Sequence, residues 1–136
     1  MTREQTRAVT RAQVRTNGGE VWVAGRVAPT AAQSSRCPAC AVTRWVAVLD
    51  AYTQGGRDAV RAFLDGPGST DGPGHVCGQG LPWPPPAPEQ PVAVAIDQHG
   101  WFSDRAMSLR AVSGVMAARQ RADADRIDAA LGWTPP

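Results

Sequence analysis

The sequence predicts a small α+β fold, an antiparallel β-hairpin packed with four or five helices. Three observations predict it. The triplet Asn17-Gly18-Gly19 is a turn signal, and the arm that follows it, EVWVAGR, is rich in β-branched and aromatic residues. Apolar residues recur at helical spacing at Val42, Trp45, Val46, Leu49 and Tyr52, and again at Leu109, Val112, Val115 and Met116. The chain has 136 residues, 43% of them hydrophobic, which is one domain's worth with a modest core.

Taken in order, the first segment places Arg3, Arg7 and Arg11 four residues apart, with Arg15 following. On a helix they form one basic stripe, read as a solvated face rather than a dedicated phosphate row. Ala12–Thr16 and Glu20–Arg26 are the hairpin arms. Residues 27–36, VAPTAAQSSR, read as a linker-like loop. Pro38 sits where a helix starts, and Gly55-Gly56 ends that helix. A short second helix turns Val60, Phe63 and Leu64 inward. Residues 66–91 are punctuated by Gly and Pro and predict a loop without regular structure. Val92–Ile96 is strand-like, and Asp97–Asp104 is a polar turn region. Ser108 is the N-cap of a helix whose stripe of Leu109, Val112, Val115 and Met116 faces the core. Residues 123–131, with Ile127 and Leu131 four apart, predict a last short helix, ended by Gly132 and by Pro135-Pro136.

Net charge is +2, unevenly spread. Residues 1–61 hold 9 Arg against 4 acids, and residues 62–136 hold 5 Arg against 8 acids. All 14 basic residues are Arg, a bias that a GC-rich genome explains, and that also suits phosphate and guanine contacts. No apolar run approaches the roughly 18 residues of a membrane span, and the first residues carry no apolar leader. The expectation is a cytoplasmic protein without a membrane partner. Three cysteines, an odd count, argue against a disulfide scaffold.

Those cysteines have another use. Cys37-x-x-Cys40 and His75-x-Cys77 make a candidate Cys3His set for one structural zinc, because thiolate and imidazole are the donors that metal takes. The competing reading is three buried structural cysteines and a loop histidine. It draws on the long separation of the halves and on a His-x-Cys pair where a second Cys-x-x-Cys would be usual. His99, in Asp97-Gln98-His99-Gly100, reads as a surface turn residue.

Three segments in order resemble the catalytic domain of the tyrosine recombinases, the phage-integrase and Cre-like family. AVTRAQVRTNGGEVWVAGR, residues 8–26, looks like the helix leading into that domain's first hairpin. RCPACAVTRWVAVL, residues 36–49, is similar to a Cys-Pro segment opening a helix in integrases of actinobacterial type. AIDQHGWFSDRAMSLRAVSGVMAARQRA, residues 95–122, resembles the stretch ending in a Ser-x-Arg-Ala helix upstream of the family's His-x-x-Arg motif. The resemblance leaves out residues 50–94. It implies a partial catalytic domain over residues 1–136: hairpin and first helix at 8–52, the Pro/Gly-rich loop at 66–91, strand and C-terminal helices at 92–132.

The same resemblance implies DNA affinity without autonomous strand cleavage. The family's chemistry uses a Tyr nucleophile, two Arg, a Lys and a His. Here the first catalytic Arg position falls on Thr2 and its Glu on Gln5. The hairpin Lys falls near Ala28 in a chain with no Lys, and the His-x-x-Arg and Tyr positions lie past residue 136. No catalytic residue is therefore assigned, and the single Tyr, Tyr52, reads as core. The implied partners are duplex DNA and a full-length recombinase supplying the missing groups. Arg110, in the first turn of the Ser-x-Arg-Ala helix, is the expected groove contact, with Arg105 and Arg119 as backbone contacts. Two other expectations stand beside this one: a small zinc-stabilised interaction module, and a gene remnant without function.

Overall fold

In the computed structural model, residues 1–66 and 74–131 are described. The small α+β expectation is met. The elements are α1 (Arg3–Arg7), β1 (Val14–Asn17), β2 (Glu20–Val23), β3 (Arg26–Val27), α2 (Pro38–Asp65), β4 (Val94–Ile96), β5 (Phe102–Ala106) and α3 (Leu109–Leu131). They include a three-stranded antiparallel sheet in the order β1-β2-β3 and a separate β4-β5 pair.

The predicted hairpin forms with Val14 opposite Val23 and Asn17 opposite Glu20. Gly18 and Gly19 both take positive φ, +58° and +83°, the requirement of a tight two-residue turn whose twist matches the strands. The third strand is a correction to the linker expected from residue 27. Ala24 and Gly25 repeat the positive-φ turn at +48° and +76°, which folds Arg26 and Val27 back onto Val23 and Trp22.

The basic stripe is also corrected. Helix α1 ends at Arg7, and Arg11 sits in a single 3-10 turn. There its backbone N–H donates to the Gln90 carbonyl at 2.8 Å, while Val92 N–H donates to the Val9 carbonyl at 2.9 Å. Pairing with residues 88–92 competes successfully with helix continuation, so the four arginines never share a face. Arg11 is fully buried and Arg15 lies on β1.

Helix α2 begins as expected, with Cys37 at the N-cap and Pro38 in the first turn. Its helical geometry breaks at Gly55 and Gly56, where Gly56 takes φ +63°, ψ −149°, a conformation open to glycine. Val46 and Leu49 are buried, and Val42, Trp45 and Tyr52 half-buried. Beyond the break Val60 and Phe63 are half-buried, but Leu64 is exposed, against expectation. Tyr52 stacks on Phe102, with centroids 4.2 Å apart and planes 7° apart, and its hydroxyl accepts the Phe102 N–H at 3.2 Å. That contact seats β5, a strand inside the segment expected to be a polar turn. Only Asp97–Gly100 turns, with the Asp97 carboxylate accepting from His99 and Trp101 N–H.

Ser108 caps α3 as predicted, accepting from Ala111 N–H at 3.1 Å. The stripe behind it is a correction. Val112 is 5% exposed, but Leu109, Val115 and Met116 are 43%, 59% and 42% exposed, because α3 packs on the short α1 rather than on the sheet. The expected last helix is the continuation of α3, since no Gly or Pro interrupts residues 115–131. The side chains of Ile127 and Leu131, together with Gly132, Pro135, Pro136 and residues 67–73 of the Pro/Gly-rich loop, lie outside the described residues. The core gathers Val9, Val14, Val21, Cys37, Ala39, Cys40, Val46, Val76 and Cys77. No helix among the described residues is long and apolar enough to cross a membrane.

Candidate metal centre

Three of those core residues are the cysteines. Cys37 ends the loop before α2 in extended backbone, and Cys40 falls in the helix's first turn, so the two-residue spacing turns both thiols to the same side. The other half comes from residues 74–80, where Cys77 opens a 3-10 turn packed against β2 and α2. The four candidate donor atoms, one each from Cys37, Cys40, His75 and Cys77, lie within 4.8 Å of one another, so this cluster could hold a metal ion. All four residues read from the sequence as a set are thus brought together, across a separation of 35 residues between Cys40 and His75. The three thiols are free and buried, while His75 is exposed and closes the cluster from the solvent side.

The histidine is aimed. Its Nδ1 lies 3.3 Å from Cys40 Sγ and 4.0 Å from Cys77 Sγ, and its Nε2 lies 3.3 Å from the Ala32 carbonyl. A proton on Nε2 donated to that carbonyl leaves the Nδ1 lone pair facing the sulfurs, the tautomer a metal ligand needs. The Ala32 carbonyl was not legible in the sequence, since any residue supplies one.

The thiols are electrostatically unequal. Burial opposes ionisation of Cys40, but the backbone groups of Cys77 and Val76 and the side chains of Cys77 and Cys37 hydrogen-bond to it and bring its pKa down to about 6. Burial likewise opposes ionisation of Cys37, and hydrogen bonds from the backbone of Cys40 and Ala31 still hold it below the ordinary thiol value. Cys77 goes the other way, pushed up to about 11 by burial and by its neighbours Cys40 and Cys37. His75 is raised, first by its hydrogen bond with Cys40 and then by the Ala32 carbonyl.

The arginines read as DNA contacts are elsewhere. Arg105 is exposed on β5, Arg110 is exposed in the first turn of α3, and Arg119 is exposed further along, 3.4 Å from Asp123 one turn on. His99 is on the surface, as read. Arg11, expected on a solvated stripe, and Asp50 instead form a buried ion pair. Arg11 donates through Nε and Nη2 to both oxygens of Asp50, at 2.9 and 2.8 Å, and further N–H groups on Nη1 and Nη2 reach the Val14 and Pro82 carbonyls. The available signal was an acid, Asp50, on the apolar side of α2 between Leu49 and Tyr52.

Comparison with protein-family models, with curated proteins and with solved structures finds no match.

Proposed function

We propose that this chain is a small interaction module stabilised by one structural zinc, bound by Cys37, Cys40, His75 and Cys77. The observation that carries the reading is the Cys3His cluster itself. Tetrahedral zinc, with sulfur at about 2.3 Å and nitrogen at about 2.0 Å, sets ligand atoms roughly 3.5–3.8 Å apart. The separations of 3.3 and 4.0 Å around His75 Nδ1 are within a few tenths of an ångström of that. Four protein ligands fill the tetrahedron and leave no open position for substrate, which is the structural and not the catalytic pattern. The Ala32 carbonyl on Nε2 supplies the outer-shell partner such histidines require. The test is metal content of the purified protein. About one zinc per chain is expected, with Cys40→Ser and Cys77→Ser each losing it. Zinc-free protein that folds and melts unchanged with chelator present would leave the buried-cysteine reading.

A second reading, duplex-DNA contact of tyrosine-recombinase type without strand cleavage, is favoured by a specific arrangement. Arg3 and Arg110 line one surface hollow beside the start of α3, together with Glu4, and Arg7 nearby donates its Nε–H to the Met107 carbonyl at 3.0 Å. Free backbone N–H groups in the first turn add to that positive potential. Arg119 contributes less, being engaged with Asp123. Tyr52, stacked and hydrogen-bonded, is no nucleophile, so this reading carries binding alone. Duplex binding that weakens with salt, and weakens further in Arg110→Ala, is its signature. Equal binding by the variant at two salt concentrations counts against it.

A further inference from the structure

Away from the metal cluster, one cleft has the chemistry of a ligand site. It has a volume of about 670 Å³ and is lined by residues of β1, the β2 hairpin turns and the segment after Cys77. That volume is in the range of small-molecule sites, about 300–1,000 Å³. Trp22 and Trp83 supply two indole faces and Leu81 an apolar floor. Arg15 and Trp22 are cross-strand partners, so their side chains stand on the same face of the sheet.

The polar groups are held open. The Arg15 guanidinium lies 4.7 Å from the centroid of the Trp83 ring, and its Nε donates to the Ala12 carbonyl. Its two terminal amino groups have no acceptor among the described residues. The Gln13 side-chain oxygen accepts the Thr10 N–H, and Gln13 and Asn17, both exposed, line the cleft. Trp22 Nε1 is the one buried side-chain polar atom among the described residues without a hydrogen-bond partner. That atom has no solvent-accessible surface, so it lies behind the cleft wall, out of a ligand's reach. No acidic residue lines the cleft.

We infer that this cleft binds a nucleotide, with the base stacked on the Trp22 and Trp83 indoles and the phosphate held by Arg15. Each part of the lining selects for that class. Aromatic faces take any flat ring and an arginine takes an anion, with Glu20, directly opposite Asn17 on the same sheet face, standing outside the lining. Those two features alone would accept a simple aromatic acid. Asn17 and Gln13 add paired amide groups, which a base edge can satisfy and a benzoate cannot. The Arg15 guanidinium already lies over one face of Trp83, and the ring, 56% exposed, keeps its other face for stacking. The same chemistry comes from a free mononucleotide or from an unpaired base in a single strand. A duplex hides its base faces and is excluded.

The test is titration calorimetry of the intact, metal-replete protein with adenosine 5′-monophosphate, a short oligodeoxyadenylate, the same strand in duplex form, and benzoate. Saturable binding of the mononucleotide or the single strand, with little or none for benzoate, is expected; any duplex binding should be untouched by Trp83→Ala, since it would lie at the Arg110 surface. A single strand bound roughly tenfold more tightly than the mononucleotide assigns the site to strands, and equal affinity assigns it to free nucleotides. Trp83→Ala and Arg15→Ala, both changes at exposed side chains, should each weaken binding roughly tenfold or more. No saturable nucleotide binding, benzoate binding as tightly, or an unchanged Trp83→Ala each overturns the assignment.

Discussion

Arg11 and Asp50 show how much one residue pair decides. A guanidinium with no exposed surface is tolerated in the core because four of its five N–H groups have acceptors, two of them on one carboxylate. Asp50→Ala strands that charge and should cost roughly 3–5 kcal/mol of unfolding free energy in a urea titration. Arg11→Met combined with Asp50→Leu should recover most of the loss, because it removes both desolvation penalties and keeps the volume. A loss under about 1 kcal/mol in the single variant would mean that the pair is solvated. In the sequence Arg11 read as one of a row of surface arginines. Nothing local distinguishes it, because its partner is 39 residues away. The four candidate metal ligands have a residue-scale consequence too. A metal takes all of them deprotonated, yet Cys77 is pushed up to about 11 and holds its proton at neutral pH before loading, and His75 is raised in the same direction. Loading must release the Cys77 proton, and apparent zinc affinity should fall as pH falls, more steeply once Cys40 also protonates below about 6. Competition against a chromophoric chelator at several pH values measures this, and affinity independent of pH would contradict it.

Among the elements, those with strong local signals were legible and those made by tertiary pairing were not. The β1-β2 turn has Gly18 and Gly19, and α2 has its proline start and its Gly55-Gly56 break, each with a backbone reason written in the residue type. Strand β5 has the sequence FSDRA, with neither a regular alternation nor β-branched residues, and exists because Phe102 stacks on Tyr52 and the strand pairs with β4. Helix α3 is the instructive case. Its apolar periodicity was read correctly as helix and wrongly as buried, since spacing defines a face but not what covers it. Two substitutions separate these meanings. Val112→Ala should cost about 1–2 kcal/mol, two buried methyl groups at ~0.8 each, whereas Val115→Ala should stay within about 0.5 kcal/mol, as exposed changes do. Thermal melts of the two variants give the comparison, and equal losses would place Val115 under cover in solution.

At the scale of the whole molecule, the cluster of Cys37, Cys40, His75 and Cys77 joins what the chain separates. The Cys37–Cys40 half was legible as a spacing. Its closure by His75 and Cys77 was only a possibility in the sequence, because it depends on the sheet and α2 bringing a distant Gly/Pro-rich segment back to the helix start. Past Cys77 the same segment is tied down three more times: Leu81 N–H donates to Thr16 Oγ1, the Pro82 carbonyl accepts from Arg11, and Trp83 lies under Arg15. The buried core beside it is small and contains the three cysteines themselves, so removing a metal would leave like-charged or reprotonated sulfurs inside it. Structural zinc is worth about 10–16 kcal/mol in small finger peptides, against a typical net stability of about 5–15 kcal/mol for a domain. Chelation should therefore lower the melting temperature by more than about 10 °C, as expected when several kcal/mol are lost from a domain of this size. Residues 75–83 should lose amide-exchange protection first, while β1 and β2, closed by their own hairpin turn, should lose it last. If the cysteines are only apolar filling, chelator changes neither the melt nor the exchange pattern. If instead the whole chain loses protection at once, the cluster holds the sheet and α2 together rather than fastening one segment onto them.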